Sequence, residues 1–83
     1  MTTKSQPVAG AGSLDRIGPA HPVRVVGIHG TGRIIRRLAV LGMVPGSIVT
    51  VVRARQPVLV SIGGALLALD HHTARSILVE DIG

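Results

Sequence analysis

The residues of this chain with side chains able to do chemistry include four histidines and four acidic residues, and their spacing limits what they can do. His71 and His72 are adjacent, so on a helix they point about 100° apart and do not form the i, i+4 pair that binds zinc. The chain has no cysteine to supply a thiolate ligand. We therefore expect no intrinsic metal site and no cofactor. Binding of Fe²⁺ or Zn²⁺ at exposed surface histidines, or between two chains, stays open as an alternative.

Catalytic motifs are also missing from the pattern. No serine has a G-x-S-x-G context, and none of the four acidic residues belongs to a motif of paired carboxylates. The glycine-rich stretch "GIHGTGR" fits neither common phosphate-binding pattern, so it is better explained as a tight connection from a strand to a helix. The sequence predicts a protein that is not an enzyme.

The basic residues give a more specific signal. The net charge of +5 suits an acidic partner such as nucleic acid, a phospholipid surface or an acidic protein face, although charge alone is better explained as keeping a small apolar domain in solution. On a helix over residues 32–41, Arg33, Arg36 and Arg37 fall opposite an apolar stripe, with Val40 among them. Arginine pairs bidentately with carboxylates and phosphates. We predict that these four residues, named here the arginine face, bind a partner; the alternative is a solvated helix surface.

The helix that carries the arginine face has recognisable ends. Thr31 can cap its start, and Ile34, Leu38 and Leu41 form its apolar stripe. The pattern then changes abruptly to β-branched residues, which predicts a direct joint between a helix and a strand. Glycine after the helix accepts a left-handed cap, and proline cannot continue the helix. The residues predicted to build this joint are Leu38, Leu41, Gly42, Met43, Pro45 and Gly46.

The rest of the chain reads as short strands. We predict a first strand over 21–28, in which Gly27 suggests a bulge or a close backbone approach, and a second strand over 46–55. A third over 57–62 and a fourth over 65–69 are joined by Gly63-Gly64, which suits a primed hairpin turn. Asp70 is expected to cap a short helical turn before a last strand over 77–80.

These elements predict a mainly β fold. The order fits a small SH3-like barrel of about five strands, with one short α-helix between the first and second strands and a helical turn before the last. Residues 1–13 are expected to be a flexible tail, and 14–83 the domain. Ser13 or Asp15 can cap a turn over residues 13–19, in which Leu14 and Ile17 are apolar.

Size and composition bear on partners and location. A chain of 83 residues without Phe, Trp or Tyr has a small aliphatic core, which favours self-association. No apolar run approaches the roughly 18 residues that span a bilayer, and the N-terminus lacks a signal-peptide pattern. We expect one soluble cytoplasmic domain without a transmembrane segment.

The stretch "RRLAVLGMVPGSIVTVV", from Arg36 to Val52, resembles the signature of the bacterial ferrous iron transport protein A (FeoA) family. Downstream, "PVLVSIGGALLALDHHTARSILV" resembles the second half of that family. The similarity covers about residues 14–81. One departure is the short basic segment "RARQP", where many members have a longer loop with Gly and Asp. The residues that match the family are Arg36 or Arg37, Leu38, Leu41, Gly42, Met43, Pro45, Gly46, Pro57, Gly64, Leu67, Leu69, Ala74, Ile77 and Val79.

The resemblance implies an SH3-like fold and a role as a small cytosolic accessory in ferrous iron uptake. The implied partner is the FeoB membrane permease, and the implied mechanism is protein binding that modulates permease assembly or nucleotide turnover. This partner would recruit the chain to the inner face of the cell membrane. Related domains occur at the C-terminus of metal-dependent repressors, so a metal-responsive regulatory domain is one alternative. A basic barrel that binds nucleic acid through the same arginines is the other, although the lack of aromatic residues argues against base stacking.

Overall fold

The computed structural model describes residues 12–55 and 57–82, which form six strands, two α-helices and one 3-10 turn. The longer helix, Gly32–Val40, lies between two strands, as predicted. The elements are β1 Gly12–Ser13, the 3-10 turn Leu14–Arg16, β2 His21–Ile28, α1 Gly32–Val40, β3 Ile48–Arg53, β4 Val58–Ile62, β5 Ala65–Leu69, α2 His71–Arg75 and β6 Ile77–Asp81.

All six strands belong to one antiparallel sheet in the order β1-β6-β2-β3-β4-β5. β1 and β5 are the end strands. Two register shifts interrupt the ladders, one between Val25 and Gly27 in β2 and one between Val51 and Arg53 in β3. Bulges of this kind increase the local bend and twist of a strand. The mainly β, SH3-like fold predicted from the sequence is confirmed, and so is the bulge at Gly27.

The structure adds a strand that the sequence did not indicate. Gly12 and Ser13 pair with Val79 and Leu78, so β1 includes two residues that were assigned to the tail. Residues 1–11, the rest of the predicted tail, lie outside the described residues.

The turn after β1 also differs from the predicted capped turn. Ser13 precedes the 3-10 turn but makes no side-chain cap bond there. Its hydroxyl donates to the carboxylate of Asp15, and no backbone N–H of the turn donates to its oxygen. Leu14 is fully buried and Ile17 packs against the core, as the apolar pattern predicted.

The core between the bent sheet and the helices is entirely aliphatic. No polar residue in the described part of the chain is buried as a whole, although the side chain of Asp15, in the turn after β1, is only 8% exposed. Alternate residues of β2, β3, β4 and β6 point inward, as expected for strands with one face covered. The same part of the chain has no helix long and apolar enough to cross a membrane. The buried residues are Leu14, Val23, Val25, Leu38, Met43, Val49, Val51, Val58, Val60, Ile62, Leu69, Ala74, Ile77 and Val79.

Candidate functional site

The start of α1 is fixed by a side-chain cap. The Thr31 hydroxyl accepts a hydrogen bond from the backbone N–H of Ile34 at 3.3 Å, and the Thr31 carbonyl accepts one from Ile35 at 3.0 Å. This satisfies one of the donors that a helix start leaves unpaired. The glycine-rich stretch before α1 is a short connection from β2, and the His29 N–H in it donates to the Ser76 carbonyl at 2.8 Å.

The end of α1 is a Schellman motif. The Gly42 N–H donates to the Ala39 carbonyl and the Met43 N–H donates to the Leu38 carbonyl, both at 2.9 Å. Gly42 has φ +93°, the positive value that this cap requires. Met43 then turns inward and is fully buried, while Leu38 is 4% exposed. The predicted joint between helix and strand is therefore present, with Leu38 and Met43 as its apolar anchors.

The Ser47 side chain holds the segment between α1 and β3 through two hydrogen bonds. This residue was not identified from the sequence. Its hydroxyl donates to the Gly42 carbonyl at 2.7 Å and accepts from the Val44 N–H at 3.2 Å. The Gly46 N–H donates to the Val25 carbonyl at 2.7 Å, and the Val25 N–H donates to the Ser47 carbonyl at 2.8 Å. A serine directly after Pro-Gly and before a strand is the sequence signal for such a turn. These bonds fix the end of α1 against β2.

The arginine face lies in solvent. Arg33, Arg36 and Arg37 are all exposed, and Val40 is 85% exposed, which is the largest value among the exposed large apolar residues. α1 contains no acidic residue. Across the described residues, none of the ion pairs includes one of these three arginines. Three positive charges therefore surround one exposed aliphatic side chain without a neutralising carboxylate in contact.

Arg37 is placed differently from the prediction. It lines a groove together with residues of the apolar stripe, so it borders that stripe instead of facing directly away from it. The reason is helical geometry: Arg37 and Leu41 are four residues apart and therefore lie only about 40° apart around the axis. The groove runs between α1, the end of β5 and the start of α2, and its lining is Ile34, Arg37, Leu38, Leu41, Ala68, Leu69, Asp70 and Thr73.

Leu41 was expected in the core-facing stripe, but it is 48% exposed. As the C-cap residue it lies just outside the helix, and the inward position passes to Met43. Leu41 instead lines the groove between α1, β5 and α2, and it also lines a second, more open groove at the end of α1. The second groove lies between the helix end and the β4–β5 hairpin and is lined by Val40, Leu41, Gly42, Ser47, Ile48, Ile62, Gly63 and Ala65. Exposed apolar side chains thus continue from Val40 beyond the arginine face, which the sequence did not indicate.

The acidic residues have structural partners. Asp70 caps α2: its Oδ1 accepts from the Thr73 N–H at 2.6 Å, and this bond is the largest cause that holds the pKa of Asp70 below its ordinary value. On the sheet, Arg24 pairs with Glu80 at 2.9 Å and His21 with Asp81 at 2.7 Å, so both pairs join β2 to β6. The predicted Asp70 cap is confirmed.

The histidines are spread over the surface. All four are exposed, and His71 Nε2 lies 3.4 Å from an Asp15 carboxylate oxygen. Within residues 12–55 and 57–82, no three His, Cys, Asp or Glu side chains are grouped as a metal site requires. His71 and His72 occupy neighbouring positions at the start of α2, as the sequence indicated.

Solved structures of similar fold include several FeoA proteins. An iron uptake regulatory protein (FeoA) has a TM-score of 0.81 and 26% identity, over 87% of this chain and 99% of that chain. FeoA from Chlorobium tepidum has a TM-score of 0.79 and 27% identity, over 86% of this chain and 70% of that chain. FeoA from Stenotrophomonas maltophilia was solved in complex with zinc and is described as an SH3 domain protein. It has a TM-score of 0.74 and 29% identity, over 83% of this chain and 89% of that chain.

One further neighbour shares the fold alone. IdeR of T. acidophilum has a TM-score of 0.81 but 24% identity, and the match covers 93% of this chain and 36% of that chain. A comparison with curated protein sequences finds no match. The FeoA domain model, in contrast, matches residues 12–81, nearly the whole described part. The chain therefore belongs to the FeoA domain family.

Proposed function

We propose that this chain is a non-catalytic, cytoplasmic accessory of ferrous iron uptake that binds the FeoB-type membrane permease. The observation that carries the proposal is the match of the FeoA domain over residues 12–81. The similar FeoA structures support it, since one is described as an iron uptake regulatory protein and another in connection with ferrous iron transport activation. Binding to the permease would bring the chain to the inner face of the membrane.

The arginine face is the docking surface that we assign to this role. Its three guanidinium groups have no carboxylate partner in contact among the described residues, so they are free to form bidentate pairs with acidic side chains of a partner. Val40, at 85% exposure, would lose most of its contact with water on docking. A matching partner surface has carboxylates around a small apolar depression.

The ends of α1 make this surface suitable for docking. The Thr31 cap and the Schellman motif hold the helix backbone in one geometry, so docking costs little backbone entropy and the entropy lost is mainly that of the arginine side chains. The proposal requires no resident metal or cofactor. Binding of Fe²⁺ or Zn²⁺ at exposed histidines remains a separate prediction.

Charge reversal tests this docking surface. The double variant Arg36→Glu, Arg37→Glu should weaken binding to the detergent-solubilised cognate permease about tenfold, well beyond the roughly 0.5 kcal/mol of a neutral surface change. Calorimetric titration of the permease with each variant measures the effect.

The matched control is Arg53→Glu, Arg55→Glu, which changes the net charge equally at two exposed arginines away from α1. This control should bind nearly as well as the unmodified chain. Equal weakening by both double variants would mean that net charge, and not the arginine face, governs binding. Unchanged affinity in the Arg36, Arg37 variant would remove α1 from the interface.

A further inference from the structure

β5 is an end strand of the sheet with an uncharged, apolar sequence. It comprises Ala65–Leu69, "ALLAL", and pairs only with β4 in the sheet order. Leu66 is 61% exposed, and Ala65 and Ala68 are exposed as well. Soluble proteins usually protect such edges with charged residues, proline or a bulge. Here the β4–β5 register is regular and no such device is present within the strand.

The hairpin that starts β5 determines which backbone groups face outward. Gly63 and Gly64 have φ +55° and +85°, so both occupy the positive region of a type I′ turn. Ile62 and Ala65 close this two-residue turn and form a hydrogen-bonded pair. Since hydrogen-bonded and non-hydrogen-bonded pairs alternate, the N–H and C=O groups of Leu66 and Ala68 point away from β4.

We propose that β5 pairs antiparallel with β5 of a second copy of this chain, across a two-fold axis at Leu67. In this register Leu66 lies opposite the partner's Ala68, and Ala68 opposite the partner's Leu66. Each of these two pairs exchanges both backbone hydrogen bonds, which uses all four outward groups of each strand. A two-fold axis makes the contact self-complementary and closed, so the assembly ends at a dimer.

The side chains fit this register on both faces of the extended sheet. Leu66 and Ala68 share the outer face, so each large side chain lies beside a small one of the partner. On the other face Leu67, which packs partly against the core, meets its own copy.

Charge also favours a second copy as the occupant. The strand carries no charge of its own, so pairing places no like charges opposite each other within β5. Asp70, which follows β5, would lie opposite the uncharged Gly64 of the partner. Pairing at the β5 edge joins backbone groups and requires no residue of the arginine face, although Arg37 borders the groove that Ala68 and Leu69 also line. The inference is therefore independent of the proposed permease binding.

A strand-to-strand contact of five residues is small, so the dimer should be weak and concentration-dependent. Sedimentation equilibrium of the full chain between about 10 µM and 1 mM should show the average mass rise towards that of a dimer. Leu66→Lys should raise the dimer dissociation constant at least tenfold, because it places an ammonium group over the partner's Ala68. Val52→Lys is the matched control, since Val52 is 48% exposed on an interior strand, and it should dimerise like the unmodified chain.

Two further variants separate strand pairing from general stickiness. Ala68→Pro removes one outward N–H, a change that an edge strand tolerates, and should also abolish the dimer. Leu67→Cys introduces the chain's single cysteine. At the two-fold axis it lies directly opposite its own copy, with a Cα separation of about 4.5 Å, so air oxidation should yield a disulfide dimer.

Ala65→Cys is the cross-linking control. In the proposed register residue 65 faces residue 69 of the partner, and two copies of residue 65 are about 14 Å apart, too far for a disulfide. A monomer at 1 mM, dimers that persist in Leu66→Lys or Ala68→Pro, or equal cross-linking at both cysteine positions would overturn the proposal. Circular dichroism of each variant establishes that the fold is retained, and the cysteine pair gives a result even if a β5 variant fails to fold.

Discussion

Asp70 has two places in the structure, one in a helix cap and one in the groove beside the arginine face. It caps α2 through the Thr73 N–H and also lines the groove that Arg37 borders. The cap could be predicted from the sequence because capping depends on a side chain and a backbone N–H three residues later. The predicted cap at Ser13 is absent: no backbone N–H of the turn donates to the Ser13 oxygen, and its hydroxyl donates to Asp15. Two polar side chains two residues apart can satisfy each other, and only the folded geometry decides between such alternatives.

The pKa of Asp70 makes a prediction about pH. This pKa is lowered in the folded state, so the unfolded chain binds more protons than the folded one when the pH falls below the ordinary aspartate range. The stabilisation by charged Asp70 is complete above about pH 4 and is lost as the pH falls through the lowered folded value. Urea unfolding of the unmodified chain and of Asp70→Ala should therefore differ most near neutral pH and converge in acid. A difference that grows on acidification would contradict this account.

At the scale of elements, the end of α1 depends on backbone conformation at Gly42. A Cβ there would meet Ile62 Cδ1 at 3.8 Å, an ordinary contact, so space does not prevent alanine at this position. The cost lies in φ +93°, which L-residues disfavour by roughly 1–2 kcal/mol. We expect Gly42→Ala to lower the free energy of unfolding by about that amount in urea denaturation. Gly18→Ala is the control, because Gly18 is exposed with no positive φ and open space around it, and it should be neutral or slightly stabilising.

Sequence patterns predicted the elements better than their exposure. Strand alternation and turn residues placed β2 to β6 because these signals are local. β1 has only two residues and exists through its pairing with β6, so no local pattern could indicate it. The apolar stripe predicted Leu38 in the core but also Leu41, which is half exposed. Periodicity identifies an apolar side chain on a face, whereas the chain path beyond Gly42 decides which side chain the core receives.

At the scale of the whole molecule, a core without aromatic residues leaves each large aliphatic side chain with a considerable share of the stability. A single core in a chain of this size supplies about 5 kcal/mol or less. Met43 is fully buried and, with Leu38, anchors the end of α1 in the core. Val40, only three residues earlier, points into solvent. Met43 therefore contributes to the stability of the domain, whereas Val40 is available to bind a partner.

Truncation of these two residues should have opposite consequences. Met43→Ala should cost about 2–5 kcal/mol of unfolding free energy, because a fully packed side chain leaves a cavity, and a substantial fraction of the chain would then be unfolded at 25 °C. Met43→Leu conserves volume and should cost less than about 1.5 kcal/mol. Val40→Ala should stay within about 0.5 kcal/mol in urea denaturation, yet weaken permease binding in the titration that tests the arginine face. If Val40→Ala lowered stability as much as Met43→Ala, the exposed position of Val40 would have a structural role and the arginine face would lose its apolar centre.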